Sequence, residues 1–390
     1  MSPLDFTTEI GYFQVATRLV FGSNSRAVLP AELSRLQAKR PLLLSDAGLR
    51  QAGILGTVAD ILSGAGVPFA VFDEVEANPS IETVERALAL YCNRGCDSIL
   101  ALGGGSPIDT AKALGVLVTN AGTVRDFVGL NTFSNPLPPL LAIPTTVGTG
   151  SEGTNFAVIT DYAAHKKVVI GNPLLAPAVA ILDPELTLSL PPKLIASTGL
   201  DALTHAVESY LTTVASDFTD AVGLHAVRLI ARHIEDAVKP ERDVRTMGHM
   251  LHASCLGGLA FSYGRTALVH GMAHPLGAYY DVPHGMANSI LLPYVMEFNR
   301  PACEGRLADL GRAMGYASST MPDGEAADVF VQGVTALSAR VGIPKLLSEV
   351  GVTDEFVLQM AIDAAASGNA KVNPRIPTVD EVIAIYHSAL

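Results

Sequence analysis

The chain has 390 residues, 49% of them hydrophobic and only 16% charged, with a formal net charge of −12. That balance argues against nucleic acid, whose phosphates need a basic face, and no run of lysines or arginines supplies one. No apolar run reaches the roughly 18 to 20 residues of a membrane span, and the opening MSPLDFTTEIGYFQ lacks the basic-then-apolar order of a signal peptide. A cytoplasmic protein of two domains with a small-molecule ligand is expected, and the mean hydropathy of +0.34 suits large buried surfaces and a substantial subunit interface. Cys92, Cys96, Cys255 and Cys303 give no disulfide framework in a chain this long; Cys92 and Cys96 read as two thiols near a helix end.

In chain order, GYFQVATRLVFGSN (11–24) reads as a hairpin or edge strand. PLLLSD (41–46), PFAVFDEV (68–75), SILALGGGS (98–106), LLAIPTT (140–146) and VAILD (179–183) read as strands, the first four buried and parallel. Helical patterns lie between them at 48–66 and 80–95, the second with Ser80 as N-cap and Glu82 and Glu85 in its first turns. Strands separated by helices predict an open, mainly parallel α/β sheet with right-handed crossovers. Beyond Pro191 and Pro192 the pattern changes to amphipathic helices broken by Gly and Pro. The boundary is expected near 184–192, giving an α/β dinucleotide-binding domain over 1–187 and an all-α metal-binding domain over 188–390.

Two glycine-rich turns follow strands in the first half. GGGSPIDTAK (103–112) opens a helix, so backbone N–H groups and a helix N-terminus can meet phosphate oxygens. It is neither the GxGxxG fingerprint nor a Walker A loop. PTTVGTGSE (144–152) clusters Thr145, Thr146, Thr149 and Ser151 beside Gly148 and Gly150. Open α/β sheets bind ligands at the carboxyl ends of their strands, and both turns stand there. Asp46 ends a strand where a carboxylate could accept from a ribose diol and repel a 2′-phosphate, favouring NAD over NADP; helix N-capping is the competing role.

The second half carries the metal chemistry. Asp201 and His205 are four apart in GLDALTHAVE (199–208), and His270 and His274 repeat that spacing in HGMAHPLGAYYDVPHG (270–285), where His284 follows Pro283. Residues i and i+4 share a helix face, so each pair can grip one ion, and imidazoles with a carboxylate suit a borderline divalent metal. Glu208 continues the first face as a group behind the ligands. Five candidates exceed a tetrahedral set, and His274 is the one to release, toward substrate and nicotinamide. His225, His233, His249 and His252 receive no role.

These motifs, with DPELTLSLPPKLIASTGLDALTHAVESY (183–210) and HGMAHPLGAYYDVPHGMANSILLP (270–293), resemble the iron-containing (group III) alcohol dehydrogenase family over nearly the whole chain. The resemblance implies a dehydroquinate synthase-like architecture and reversible hydride transfer between NAD and a small primary alcohol or diol. It implies metal binding by Asp201, His205, His270 and His284, with Fe²⁺ the expected ion and Zn²⁺ an alternative, and places His274 by the nicotinamide as a proton relay. Gly103, Gly104, Gly105 and Ser106 match the pyrophosphate turn. Asp46 matches a position associated with NAD preference, Thr145, Thr146, Thr149 and Lys167 match cofactor contacts, and Asn78 lies near them. Phe261 matches a substrate-cleft aromatic.

One departure stands out: Tyr263, Gly264 and Arg265 stand before His270, where the family more often has small residues leading into a Gly. Arg265 reads as a solvated or dimer-facing side chain, with contact to an acidic substrate as the alternative. A glycerol-type polyol dehydrogenase and a lyase of the dehydroquinate synthase type are the competing functions. The lyase needs basic side chains in its cleft, and between Asp201 and His284 most of the arginines and lysines fall away from the motifs.

Overall fold

The strands of the first half are apolar at consecutive positions because they are buried on both faces. Leu42, Leu44, Ile99 and Ala101 point into one apolar cluster, and Leu43, Leu100, Leu102 and Ile181 into another on the opposite side. The computed structural model describes residues 10–164 and 166–390; the reading that no signal peptide is present concerns mainly residues 1–9, outside that range. The chain forms two units, one of residues 15–146 and 150–189 and one of residues 10–14, 147–149 and 190–390. The short segments 10–14 and 147–149 thus join the second unit, an exchange that no composition shift announces.

In the α/β unit, β1 (Arg18–Phe21), β2 (Pro41–Leu44), β3 (Ala70–Phe72), β4 (Ser98–Gly103), β6 (Leu140–Pro144) and β9 (Val179–Leu182) form a six-stranded sheet, all pairs parallel, in the order β1-β9-β6-β4-β2-β3. The sequence order reverses between β2 and β4, the switch point beside whose carboxyl ends open α/β sheets bind ligands. The segment 11–24 contributes a single edge strand and not a hairpin. A second sheet, absent from the sequence reading, joins β5 (Gly129–Leu130), β7 (Phe156–Asp161) and β8 (Lys166–Gly171), with β7 and β8 antiparallel.

The helices of this unit are α1 (Leu29–Arg35), α2 (Ala47–Gln51), α3 (Ile54–Gly64), α4 (Ile81–Asn93) and α5 (Gly105–Thr119). The helix expected over 48–66 is two, because Gly53 adopts φ +78° between them. Ser80 caps α4 as expected, its Oγ accepting from the Thr83 N–H at 3.1 Å.

The second unit is helical: α6 (Pro192–Leu211), α7 (Asp217–Ala237), α8 (Val244–Gly264), α9 (Leu268–Tyr280), α10 (His284–Met314), α11 (Asp323–Arg340), α12 (Val357–Ala366) and α13 (Val379–Ala389). Pro192 at the first turn of α6 costs no hydrogen bond, since that N–H has no helical partner. From Gly199 to Leu211 every residue of α6 is buried, with α7, α8 and α10 packed around it. Such a helix is apolar on all sides except where polar side chains find partners, so Asp201, His205 and Glu208 must each be accounted for. Among the described residues no helix is long and apolar enough to cross a membrane.

Candidate metal centre and nucleotide turn

Four residues from three helices converge: Asp201 and His205 on α6, His270 on α9 and His284 at the start of α10. One ligand atom from each lies within 4.8 Å of the others. Asp201, His205 and His270 are buried and His284 is partly so. His270 Nε2 and His284 Nε2 each stand 3.9 Å from Asp201 Oδ1. Glycine brings α10 this close, because a Cβ at Gly285 would meet the Ser197 carbonyl oxygen at 2.7 Å and Asp201 Cβ at 3.3 Å.

Glu208 sets the orientation of His270. Its Oε2 accepts from His270 Nδ1 at 2.6 Å and from the Ala267 N–H at 2.9 Å, while Oε1 accepts from the Val269 N–H at 2.6 Å. Ala267 offers α9 no side-chain cap, so Glu208 supplies one from α6. With Nδ1 donating to this carboxylate, the His270 lone pair is at Nε2, facing Asp201. The sequence reading of Glu208 as a group behind the ligands describes this arrangement.

His205 is held in the neutral form that a ligand nitrogen needs. Burial pushes its pKa well below the usual imidazole range, His270 and His274 act in the same direction, and a hydrogen bond with the Gly148 backbone opposes them. Its Nδ1 is buried without a hydrogen-bond partner. A buried imidazole with an orphaned nitrogen, clustered with a carboxylate and two further imidazoles, fits a divalent cation in donor type and number. Phe261 lies against the His205 ring at 4.4 Å between centroids. His274 is not part of the four-atom cluster; its ring stacks on His284 at 5.5 Å. Arg265 is half-buried at the end of α8 with φ +63°. His233 and His249, given no role by the sequence, stack at 4.3 Å.

In the α/β unit, Gly104 is the N-cap of α5 and provides no side-chain cap to its first N–H groups. A Cβ at Gly104 would meet Thr146 Cγ2 at 2.9 Å, so the two glycine-rich turns touch. The Thr145 N–H donates to the Gly103 carbonyl at 3.0 Å. Gly105 and Ser106 form the first turn of α5. Asp46 follows the neighbouring strand β2 and caps α2, accepting from the Leu49 N–H at 2.9 Å. Asn78 accepts from Lys167 Nζ at 3.0 Å. Thr149 belongs to the segment 147–149 that joins the helical unit.

Lys112, the last residue of GGGSPIDTAK, went unassigned in the sequence and proves to organise the second turn. It is fully buried, and Nζ donates to the carbonyls of Ser151 (2.7 Å), Thr154 (3.0 Å) and Phe156 (2.8 Å). Burial pushes its pKa down to about 8, with Asp109 and Glu152 opposing. A lysine directly before the apolar run ALGVLV (113–118) was the available signal.

Residues 16–184 match the family model described as iron-containing alcohol dehydrogenase, and residues 195–390 match its C-terminal counterpart. The chain is 39% identical over 371 residues to the 1,3-propanediol dehydrogenase of Klebsiella pneumoniae, covering 95% of this chain and 96% of that one. It is 39% identical over 374 residues to the lactaldehyde reductase of Escherichia coli K12, covering 95% and 97%. A crystal structure of a 1,3-propanediol oxidoreductase superposes with a TM-score of 0.95 at 38% identity, over 98% of this chain and all of that one. The chain belongs to the iron-containing alcohol dehydrogenase family and is an alcohol dehydrogenase.

Proposed function

We propose that this enzyme interconverts a short diol or hydroxyaldehyde with its oxidised or reduced partner, using NAD and one divalent cation held by Asp201, His205, His270 and His284. The observation that carries the site is the convergence of these four donor atoms within 4.8 Å. The substrate class rests on the relatives, a 1,3-propanediol dehydrogenase and a lactaldehyde reductase. The cation, Fe²⁺ by the family's name and Zn²⁺ by equal donor chemistry, supplies Lewis-acid polarisation of the substrate oxygen, and NAD carries the hydride.

The chain's own residues set the conditions for that chemistry. One carboxylate and three neutral imidazoles leave a divalent charge only half neutralised, which favours the anionic form of an alcohol. Glu208 keeps the His270 Nδ1 proton directed away from the cluster. Phe261, packed on His205, excludes water from one side. His274, stacked on His284 and outside the ligand set, is placed to move the hydroxyl proton. Gly103, Gly104, Gly105 and Ser106 bind the pyrophosphate, with Thr145, Thr146, Thr149, Lys167 and Asn78 around the nucleotide. Asp46 selects against a 2′-phosphate. The enzyme acts in the cytoplasm as a homodimer or larger homo-oligomer.

A substrate panel of 1,3-propanediol, 1,2-propanediol, lactaldehyde, ethanol and butanol, each with NAD and NADP, tests the reading through absorbance at 340 nm. Highest kcat/KM for a diol or hydroxyaldehyde with NAD supports it. Preference for a simple long-chain alcohol, or for NADP, overturns the corresponding part.

A further inference from the structure

The point where the metal donors converge is approached by a fifth side chain that is not one of them. Asn288 lies one turn after His284 on α10 and is fully buried. Its Nδ2 is 2.6 Å from Asp201 Oδ1, 3.2 Å from His270 Nε2 and 3.1 Å from His284 Nε2. These three acceptors belong to the set whose atoms all lie within 4.8 Å of one another.

A carboxamide NH₂ has two hydrogens to share among these three acceptors. A four-coordinate ion would need to stand about 2.0–2.2 Å from the same atoms. An ion at that distance from Asp201 Oδ1, His270 Nε2 and His284 Nε2 leaves no room for a nitrogen hydrogen-bonded to all three. The other end of the amide supports the same conclusion: Asn288 Oδ1 is buried and has no hydrogen-bond partner. The side chain is therefore held by its NH₂, and a buried acceptor is left unsatisfied for the sake of that contact.

We propose that Asn288 is a built-in competitor for the metal: its NH₂ fills the coordination position in the metal-free enzyme and must turn away when the ion enters. In the metal-free state it places a donor within hydrogen-bond distance of Asp201 Oδ1 and of two imidazole nitrogens. In exchange it lowers the affinity that the four ligands alone would have, and so keeps the ion exchangeable. This rests on the metal-site reading above.

The test uses full-length wild type, Asn288→Ala and Asn288→Ser, stripped with chelator and titrated with Zn²⁺ against a chromophoric competitor. Thermal unfolding of the metal-free and zinc-loaded forms runs in parallel. Both variants are expected to bind Zn²⁺ about tenfold tighter than wild type, about 1.4 kcal/mol. Their metal-free forms should melt lower than wild type and their loaded forms level with it. If a metal-free variant does not hold its fold, release of Zn²⁺ from the loaded protein into excess chelator reads the same competition, expected about tenfold slower than wild type. Equal or weaker binding with equal or faster release overturns the proposal and makes Asn288 a ligand or a support. A wild type that binds no Zn²⁺ or Fe²⁺ removes the metal-site reading itself.

Discussion

Replacing Glu208 with glutamine changes one oxygen to an NH₂ and removes a charge, yet the structure leaves that side chain no harmless orientation. The carboxylate is 1% exposed and accepts three hydrogen bonds, from Ala267 N–H, Val269 N–H and His270 Nδ1. If the glutamine oxygen faces Ala267 and His270, its NH₂ meets the Val269 N–H, a donor against a donor where 2.6 Å now separates the heavy atoms. If the oxygen faces Val269, the NH₂ opposes the Ala267 N–H and forces His270 to accept at Nδ1. That second arrangement moves the ring proton to Nε2, into the cluster.

Hydrogen bonds to charged groups contribute about 1.5–3 kcal/mol each, and at least one is lost in either arrangement, so E208Q should lose about 2–4 kcal/mol of stability. Groups that orient metal ligands typically cost about 10–100-fold in affinity when replaced. Urea unfolding and zinc titration against a chromophoric chelator read the two effects. Wild-type stability together with wild-type zinc affinity in E208Q would refute the role given to Glu208.

Three further outcomes follow from the same geometry. Gly285→Ala puts a methyl 2.7 Å from the Ser197 carbonyl, so the first turn of α10 must shift and carry His284 with it; zinc affinity should fall about tenfold, and an unchanged affinity would mean that the close approach is not needed. Lys112 titrates in the folded state at about 8 against an ordinary 10.5, so between those values the unfolded chain binds more protons and stability rises with pH; the cost of charging is fully present below pH 8 and gone above 10.5. Lys112→Met removes this titration but strands three carbonyls, so it should be less stable by about 3 kcal/mol at pH 7.5, with the gap widening by pH 10; parallel urea midpoints for both proteins would contradict this. Asp46→Gly should raise kcat/KM with NADP relative to NAD while costing only a few tenths of a kcal/mol in α2, and an unchanged ratio would leave Asp46 as a helix cap alone.

The parts of this molecule that could be read from its sequence share a local signature. The parallel strands are apolar without alternation because two clusters cover them. Asp201 and His205 sit at i, i+4 spacing, which a helix turns into one shared face. His270 and His284, by contrast, come from two successive helices, and the i+4 partner of His270, His274, lies outside the cluster. The β7–β8 pair escaped because both of its faces are apolar, Phe156 and Val158 on one and Ala157 and Ile159 on the other, giving no alternation for a half-buried strand. The break between α2 and α3 depends on the backbone of Gly53 among several glycines in that segment. Lys112 acts through Ser151, 39 residues on, and Asn288 meets Asp201 across 87 residues, so their residue types alone carried no assignment. Helical spacing did place Glu208 behind the ligands, although its partners on α9 came only with the fold.

Turnover after metal exchange tests the central claim most directly. The purified enzyme is stripped with chelator and assayed at 340 nm with 1,3-propanediol and NAD, before and after addition of one equivalent of Fe²⁺ or Zn²⁺ per chain under anaerobic conditions, beside Asp201→Ala treated in the same way. Activity absent from the stripped enzyme, restored by a single equivalent of ion and not restored in D201A is the predicted result. Full turnover in the stripped enzyme, or restoration in D201A equal to wild type, would contradict the assignment of Asp201, His205, His270 and His284 as the catalytic metal site.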